Sequence, residues 1–176
     1  MKAGILTVSD RSAQGVRADL GGPGLRNWLR EQGVDTIFYE IVPDETDHIS
    51  AKLCEWADVH TIDIILTTGG TGVSPRDVTP EATAKILDRT IPGFGERMRS
   101  ASLKITPMAI LSRAIAGIRK QTLIINLPGN PKAAIENLDA VWAAIPHAVA
   151  KIQGSQEECA NISKKKTEID TPKQDD

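Results

Sequence analysis

Four stretches of this chain are short and apolar enough to be buried strands, and each gives way to a turn rich in glycine, proline or aspartate. They are residues 2–9 (KAGILTVS), 34–42, 62–68 and 123–126 (LIIN). Residues 34–42 alternate and are rich in β-branched and aromatic side chains. The others are near-continuous apolar runs, the mark of strands covered on both faces. Helical spacing separates them. Leu25, Trp28 and Leu29 share a face after Pro23, and Gly33 stops that helix. Ile49, Leu53, Trp56 and Ala57 follow a cap at Thr46 or Asp47. Thr79-Pro80-Glu81 reads as a capped helix start. Ala133, Ala134, Leu138, Val141, Trp142, Ile145 and Val149 mark one last helix. Strand alternating with helix predicts an α/β fold with a mostly parallel sheet. Residues 91–120 break the rhythm; they predict a helix over 95–104, then Pro107 and the segment LSRAIAGIR.

The 176 residues fit one domain, placed at 1–153, and 40% hydrophobic residues suffice for a core. From 154 to 176 no period is visible. Lys164, Lys165, Lys166 and Lys173 lie among acids, which predicts a disordered polar tail. A net charge of −2 provides no global field for nucleic acid. Cys54 and Cys159 form no CxxC pair and read as reduced thiols, which favours a cytoplasmic location. The first apolar run stops at Ser9-Asp10-Arg11, too short for an export signal or a membrane span.

In a parallel sheet, ligands bind outside the carboxyl ends of the strands. The loops leaving those ends hold Ser9-Asp10-Arg11, Pro43-Asp44-Glu45, Gly69-Gly70-Thr71-Gly72 through to Asp77, and Pro128-Gly129-Asn130-Pro131. Glycines let backbone N–H groups approach an anion, and a helix starting near Thr79 adds its positive end. The loop is neither a Walker A motif nor the dinucleotide fingerprint. A tight turn with no ligand is the alternative. Asp44 and Asp77 beside an anion make sense with a divalent cation between them, since Mg2+ takes one or two carboxylates plus phosphate oxygens. A helix cap for Asp44 and a turn residue for Asp77 are the alternatives. His48, His60 and His147 share no ligand spacing. Arg113 and Arg119 read equally as phosphate contacts or surface residues, and the lysine run as tail solvation.

The set TVSDR, PDE, TTGGTG with PRDVTPEAT, PGFGERM, LSRAIAGIRK and NLPGNPKA resembles the molybdopterin adenylyltransferase family of MogA type, and is similar to the G domain of gephyrin. The likeness spans residues 2–153. It implies a three-layer α/β/α domain, usually a homotrimer. It also implies transfer of AMP from Mg-ATP to the terminal phosphate of molybdopterin, with release of pyrophosphate and handover to a molybdate-inserting protein. It places the family's two functional aspartates at Asp44 and Asp77, as catalytic residues and metal ligands. The pterin- and phosphate-contacting serine falls at Ser112. The nucleotide- and substrate-binding turns fall at Gly69, Gly70, Thr71 and Gly72 and at Pro128, Gly129, Asn130 and Pro131; Ser9, Asp10 and Arg11 match as well. The related MoaB-type proteins often lack the run Arg76-Asp77-Val78, so its presence points to the adenylyltransferase branch. A molybdopterin carrier and an ATP-binding protein of other purpose are the competing classes.

Overall fold

The computed structural model describes residues 1–156. Its elements are β1 (Lys2–Val8), α1 (Asp10–Ala13), α2 (Gly21–Glu31), β2 (Asp35–Val42), α3 (Thr46–Asp58), β3 (Ile64–Thr68), α4 (Thr79–Ala84) and β4 (Arg89–Thr90), followed by α5 (Pro92–Ser102), a 3-10 turn (Pro107–Leu111), β5 (Ala116–Arg119), β6 (Thr122–Leu127), α6 (Pro131–Trp142) and α7 (Ile145–Ile152). The strands form one six-stranded sheet in the order β2-β1-β3-β6-β5-β4. β2, β1, β3 and β6 run parallel, while β5 and β4 add an antiparallel edge.

Successive strand residues point to opposite faces, and here both faces are dry. Ile5, Ile64, Leu66, Leu123 and Ile125 pack with Leu25 and Leu29 of α2, Met98 of α5, Leu138 of α6 and Ile145 of α7. Leu6, Ile65 and Ile124, one residue out of phase, pack with Ile49, Leu53 and Trp56 of α3 and Ala82 of α4. That two-sided demand is why the strands read as unbroken apolar runs. Trp56 fits because β1 has a glycine beneath it: a Cβ on Gly4 would lie 2.8 Å from the indole. On the other face Trp28 meets Trp142 edge to face, with ring centroids 4.9 Å apart, joining α2 to α6.

Several expectations are corrected in detail. α2 begins at Gly21, two residues before Pro23, because Asp19 Oδ1 accepts the N–H groups of Gly21 (2.8 Å) and Gly22 (3.3 Å). The cap of α3 is Glu45, with no side-chain bond, so Thr46 and Asp47 are already inside the helix. The single last helix is two, because Pro146 lacks an N–H and its ring clashes with the carbonyl four residues back. Residues 91–120 hold α5, the 3-10 turn and an antiparallel strand, and α5 starts at Pro92 rather than at residue 95. Among the described residues no helix is long and apolar enough to cross a membrane. The predicted polar tail, from residue 157 onward, and Cys159 lie outside the described residues.

Candidate active site

β1, β2, β3 and β6 are parallel neighbours, so their carboxyl ends deliver all four loops to one edge of the sheet. Backbone and side-chain bonds then join the loops. Ser9 N–H donates to Val42 O (2.9 Å), and Gly69 N–H to Leu127 O (3.2 Å). The Thr68 hydroxyl donates to Pro128 O (2.7 Å). Asp10 and Asp44 are reciprocally bonded: Asp10 N–H donates to Asp44 Oδ2 (2.8 Å), and Asp44 N–H to Asp10 Oδ1 (3.0 Å).

Gly69 and Gly70 take φ of +106° and +61°, the left-handed region that side chains avoid. A Cβ on Gly69 would lie 2.2 Å from Val8 O, and one on Gly70 2.4 Å from the Thr79 hydroxyl. The turn itself therefore demands both glycines, and their presence alone says nothing of a ligand. The backbone donors say more. Among the described residues, the N–H groups of Gly70, Thr71 and Gly72 donate to no protein acceptor. Consecutive unpartnered N–H groups on a concave turn are an anion-binding arrangement.

The helix expected near Thr79 does begin there, but it is short and Thr79 is not its cap. α4 has only six residues and Val78 is its cap; Thr79 N–H donates to Gly70 O (3.1 Å), and its hydroxyl to Gly69 O (2.9 Å). The longer helix starting at this edge is α6, 12 residues capped by Asn130, whose Oδ1 accepts Ala133 N–H (3.1 Å).

Two cavities open here. One, of about 450 Å³, is polar: Ser9, Asp44, Gly69, Gly70, Asp77, Gly129, Asn130 and Pro131 line it. The other, of about 560 Å³, has mainly apolar walls: Gly70, Thr71, Gly72, Asp77, Ser112, Pro128, Gly129 and Asn130 meet Ile105, Met108 and Leu111 there. Gly70, Asp77, Gly129 and Asn130 belong to both, so the cavities join at Asp77. Asp10 and Arg11 line neither. Asp10 instead pairs with Arg76, which also pairs with Glu45. The hydrogen bond from that guanidinium holds the Asp10 carboxyl below its usual range.

Asp44 is half-buried, and burial, aided by the charges of Asp10 and Asp77, pushes its carboxyl up. It is not a helix cap. Asp77 does have a turn role, since its Oδ2 accepts Ser74 N–H (2.8 Å). In each carboxylate one oxygen serves the backbone, while Oδ1 has no hydrogen-bond donor among the described residues. Half-buried like charges sharing a cavity, each with a free oxygen, fit a divalent cation. No group of three or more His, Cys, Asp or Glu side chains suited to a metal occurs among the described residues. Two carboxylates suit a cation completed by phosphate oxygens and water.

Sequence reasoning missed Asp19 and Arg17 in the polar cavity and Arg99 and Lys132 in the apolar one. Asp19 accepts from the hydroxyls of Thr7 (2.6 Å) and Tyr39 (2.7 Å). Burial alone would raise its pKa, but these bonds and the Gly21 and Gly22 N–H groups outweigh burial and keep it low. Tyr39, half-buried beside it, is pushed up to about 12 by that burial and by the Asp19 carboxylate. Arg119 lies away from the site, paired with Asp58. His60 stands beside Phe38 and Glu55, and no histidine lines either cavity.

A family model described as "Probable molybdopterin binding domain" matches residues 4–147. The chain is 46% identical over 173 residues to the "Molybdopterin adenylyltransferase" of Helicobacter pylori strain 26695, covering 97% of each. Among solved structures, the molybdopterin biosynthesis enzyme MoaB of Thermus thermophilus superposes with a TM-score of 0.83 at 49% identity, covering 88% of this chain and 97% of that one. MogA superposes with a TM-score of 0.82 at 37% identity, covering 86% and 99%. The backbone is thus shared equally by the two branches.

Proposed function

The chain belongs to the molybdopterin-binding family matched over residues 4–147, and we propose that it is a molybdopterin adenylyltransferase of molybdenum cofactor biosynthesis. A terminal phosphate oxygen of molybdopterin attacks the α-phosphorus of ATP. The bond from that phosphorus to the β-phosphate oxygen breaks, giving adenylylated pterin and pyrophosphate. One observation carries this reading: a cavity with free carboxylate oxygens and a cavity with apolar walls meet at Asp77, beside three unpartnered backbone donors. The arrangement supports seating a charged polyphosphate next to a flat organic ring system.

A phosphate monoester has a second pKa of about 6, so the nucleophile is ionised at neutral pH. It needs no strong general base, in keeping with cavities that no histidine lines. The task is to bring two anions together in line and to receive the charge of the leaving group. Asp44 and Asp77 would hold Mg2+, which when bound offsets triphosphate charge. The N–H groups of Gly70, Thr71 and Gly72 hydrogen-bond phosphoryl oxygens. Ser112 and the turn from Pro128 to Pro131 position the pterin. The branch rests on Arg76-Asp77-Val78 and on the relative named for this activity. A homotrimer and handover to a molybdate-inserting protein follow from the family likeness. The exposed Leu103 and Ile110, outside both cavities, offer apolar surface for such contacts.

Incubation with molybdopterin, ATP and Mg2+ tests the reading. The expected products are pyrophosphate and adenylylated pterin in equal amounts. Pterin binding without pyrophosphate would favour a carrier, and ATP binding without pterin binding would favour an unrelated nucleotide protein.

A further inference from the structure

Arg113 lines neither of the two site cavities, and its guanidinium is bonded to protein groups. Its backbone N–H donates to Thr71 O (2.9 Å) and its Nε to Gly72 O (2.6 Å). Its two terminal nitrogens donate to Asp77 O and to the Glu81 carboxylate. One residue therefore holds three carbonyls of the loop that ends in Asp77, those of Thr71, Gly72 and Asp77, together with the first turn of α4. We propose that Arg113 is a positioning residue for Asp77, and that it ties the Ser112 wall of the apolar cavity to the loop that carries the carboxylate. The inference rests on the reading of Asp77 as a cation-holding group.

The rest of the loop's anchorage is weaker on that side. Ser74 and Asp77 bond to each other, which shapes the turn without fixing it to the body. Arg76 reaches Asp10 and Glu45, but its side chain is 54% exposed, and exposed ion pairs contribute little. Val73, Ser74, Pro75 and Arg76 are exposed, and an open groove of about 440 Å³ beside the loop is lined by Val73, Asp77, Val78 and Arg113. That space lets the turn shift if Arg113 releases it. Among the described residues, Arg113 provides the hydrogen bonds to Gly72 O and Asp77 O. A planar guanidinium can reach both carbonyls and Glu81 together, whereas a lysine nitrogen is a single point. Ser112 is adjacent in sequence, and Arg99 Nη1 fixes its carbonyl (3.2 Å) and that of Ala114 (3.0 Å). A shift of the Ser112 wall is thereby transmitted to Asp77.

The test compares Arg113→Lys, Arg113→Gln, Glu81→Gln and Asp77→Asn, measuring turnover against Mg2+ concentration together with thermal melting. Groups that orient a metal ligand typically cost about 10- to 100-fold in metal affinity or activity when removed. Both Arg113 variants should raise the half-saturating Mg2+ concentration by about 10-fold or more, with a smaller change in the KM for molybdopterin. Glu81→Gln keeps the carbonyl contacts and should match the native Mg2+ dependence. If Asp77→Asn shifts the dependence but neither Arg113 variant does, whatever their melting points, the Arg113 inference is overturned and the Asp77 reading stands. If Asp77→Asn leaves the dependence native, the reading of Asp77 fails and this inference falls with it. Should Arg113→Gln fail to fold, Arg113→Lys, which keeps the charge facing Glu81, decides the matter.

Discussion

Asp44 and Asp77 have different surroundings, and their substitutions should separate stability from activity. The Asp44 pKa is raised, so ionising it in the folded state costs stability above that pKa, and the cost disappears as pH falls through it. Asparagine keeps an acceptor for Asp10 N–H without the charge. Asp44→Asn should therefore melt no lower than the native chain at pH 7 while losing turnover, and its melting advantage should shrink at acid pH; a lower melting point at pH 7 would contradict this. Asp77→Ala removes one bond to Ser74 N–H, worth about 1 kcal/mol. It should also remove several kcal/mol of transition-state stabilisation, of the order a bound cation supplies. A large fall in melting point with modest loss of turnover would make the turn role the dominant one. Asp44 and Asp77 could be placed at the carboxyl edge from sequence because both lie on the loops that leave β2 and β3 there. The role of Arg113 was not legible, and Asp19 and Arg99 were missed outright, because their partners lie far off in sequence: Arg113 reaches Gly72 and Glu81, and Asp19 reaches Tyr39 and Thr7.

At the scale of elements, the glycine turn shapes the loop and presents its N–H groups, and one substitution disturbs both. Gly70→Val forces a side chain into φ +61° and against Thr79. It should abolish Mg-ATP binding measured by titration calorimetry, because the unpartnered N–H groups of the turn would be displaced. Retained affinity would mean the nucleotide sits elsewhere. β1, β3 and β6 were readable because both faces are covered, which leaves apolar runs with no other use. The antiparallel β5 was not. Ala116 and Gly117 give it little strand signal, and it packs by smallness: a Cβ on Gly117 would lie 2.4 Å from Leu87. The break between α6 and α7 was also missed, because the same apolar face continues through both helices and masks the effect of Pro146.

For the whole molecule, the sheet separates two apolar clusters, and its carboxyl edge gathers the loops. Truncating the centre should thus weaken the fold while leaving the site in place until the chain unfolds. Leu66→Ala, in the fully buried β3, should cost about 2–5 kcal/mol, read as a lower denaturant midpoint. Its turnover at low denaturant should stay near native, because Thr67 and Thr68 still carry the loop; a loss of turnover without a loss of stability would contradict this. The central claim is that Asp44 and Asp77 together hold a cation bridging to nucleotide phosphates in the polar cavity. The most direct test is a crystal structure with Mn2+ and a non-hydrolysable ATP analogue, reading the anomalous signal of the metal. The account predicts a peak within bonding distance of both carboxylates and of phosphate oxygens. A nucleotide and metal bound well away from Asp44 and Asp77 would contradict it.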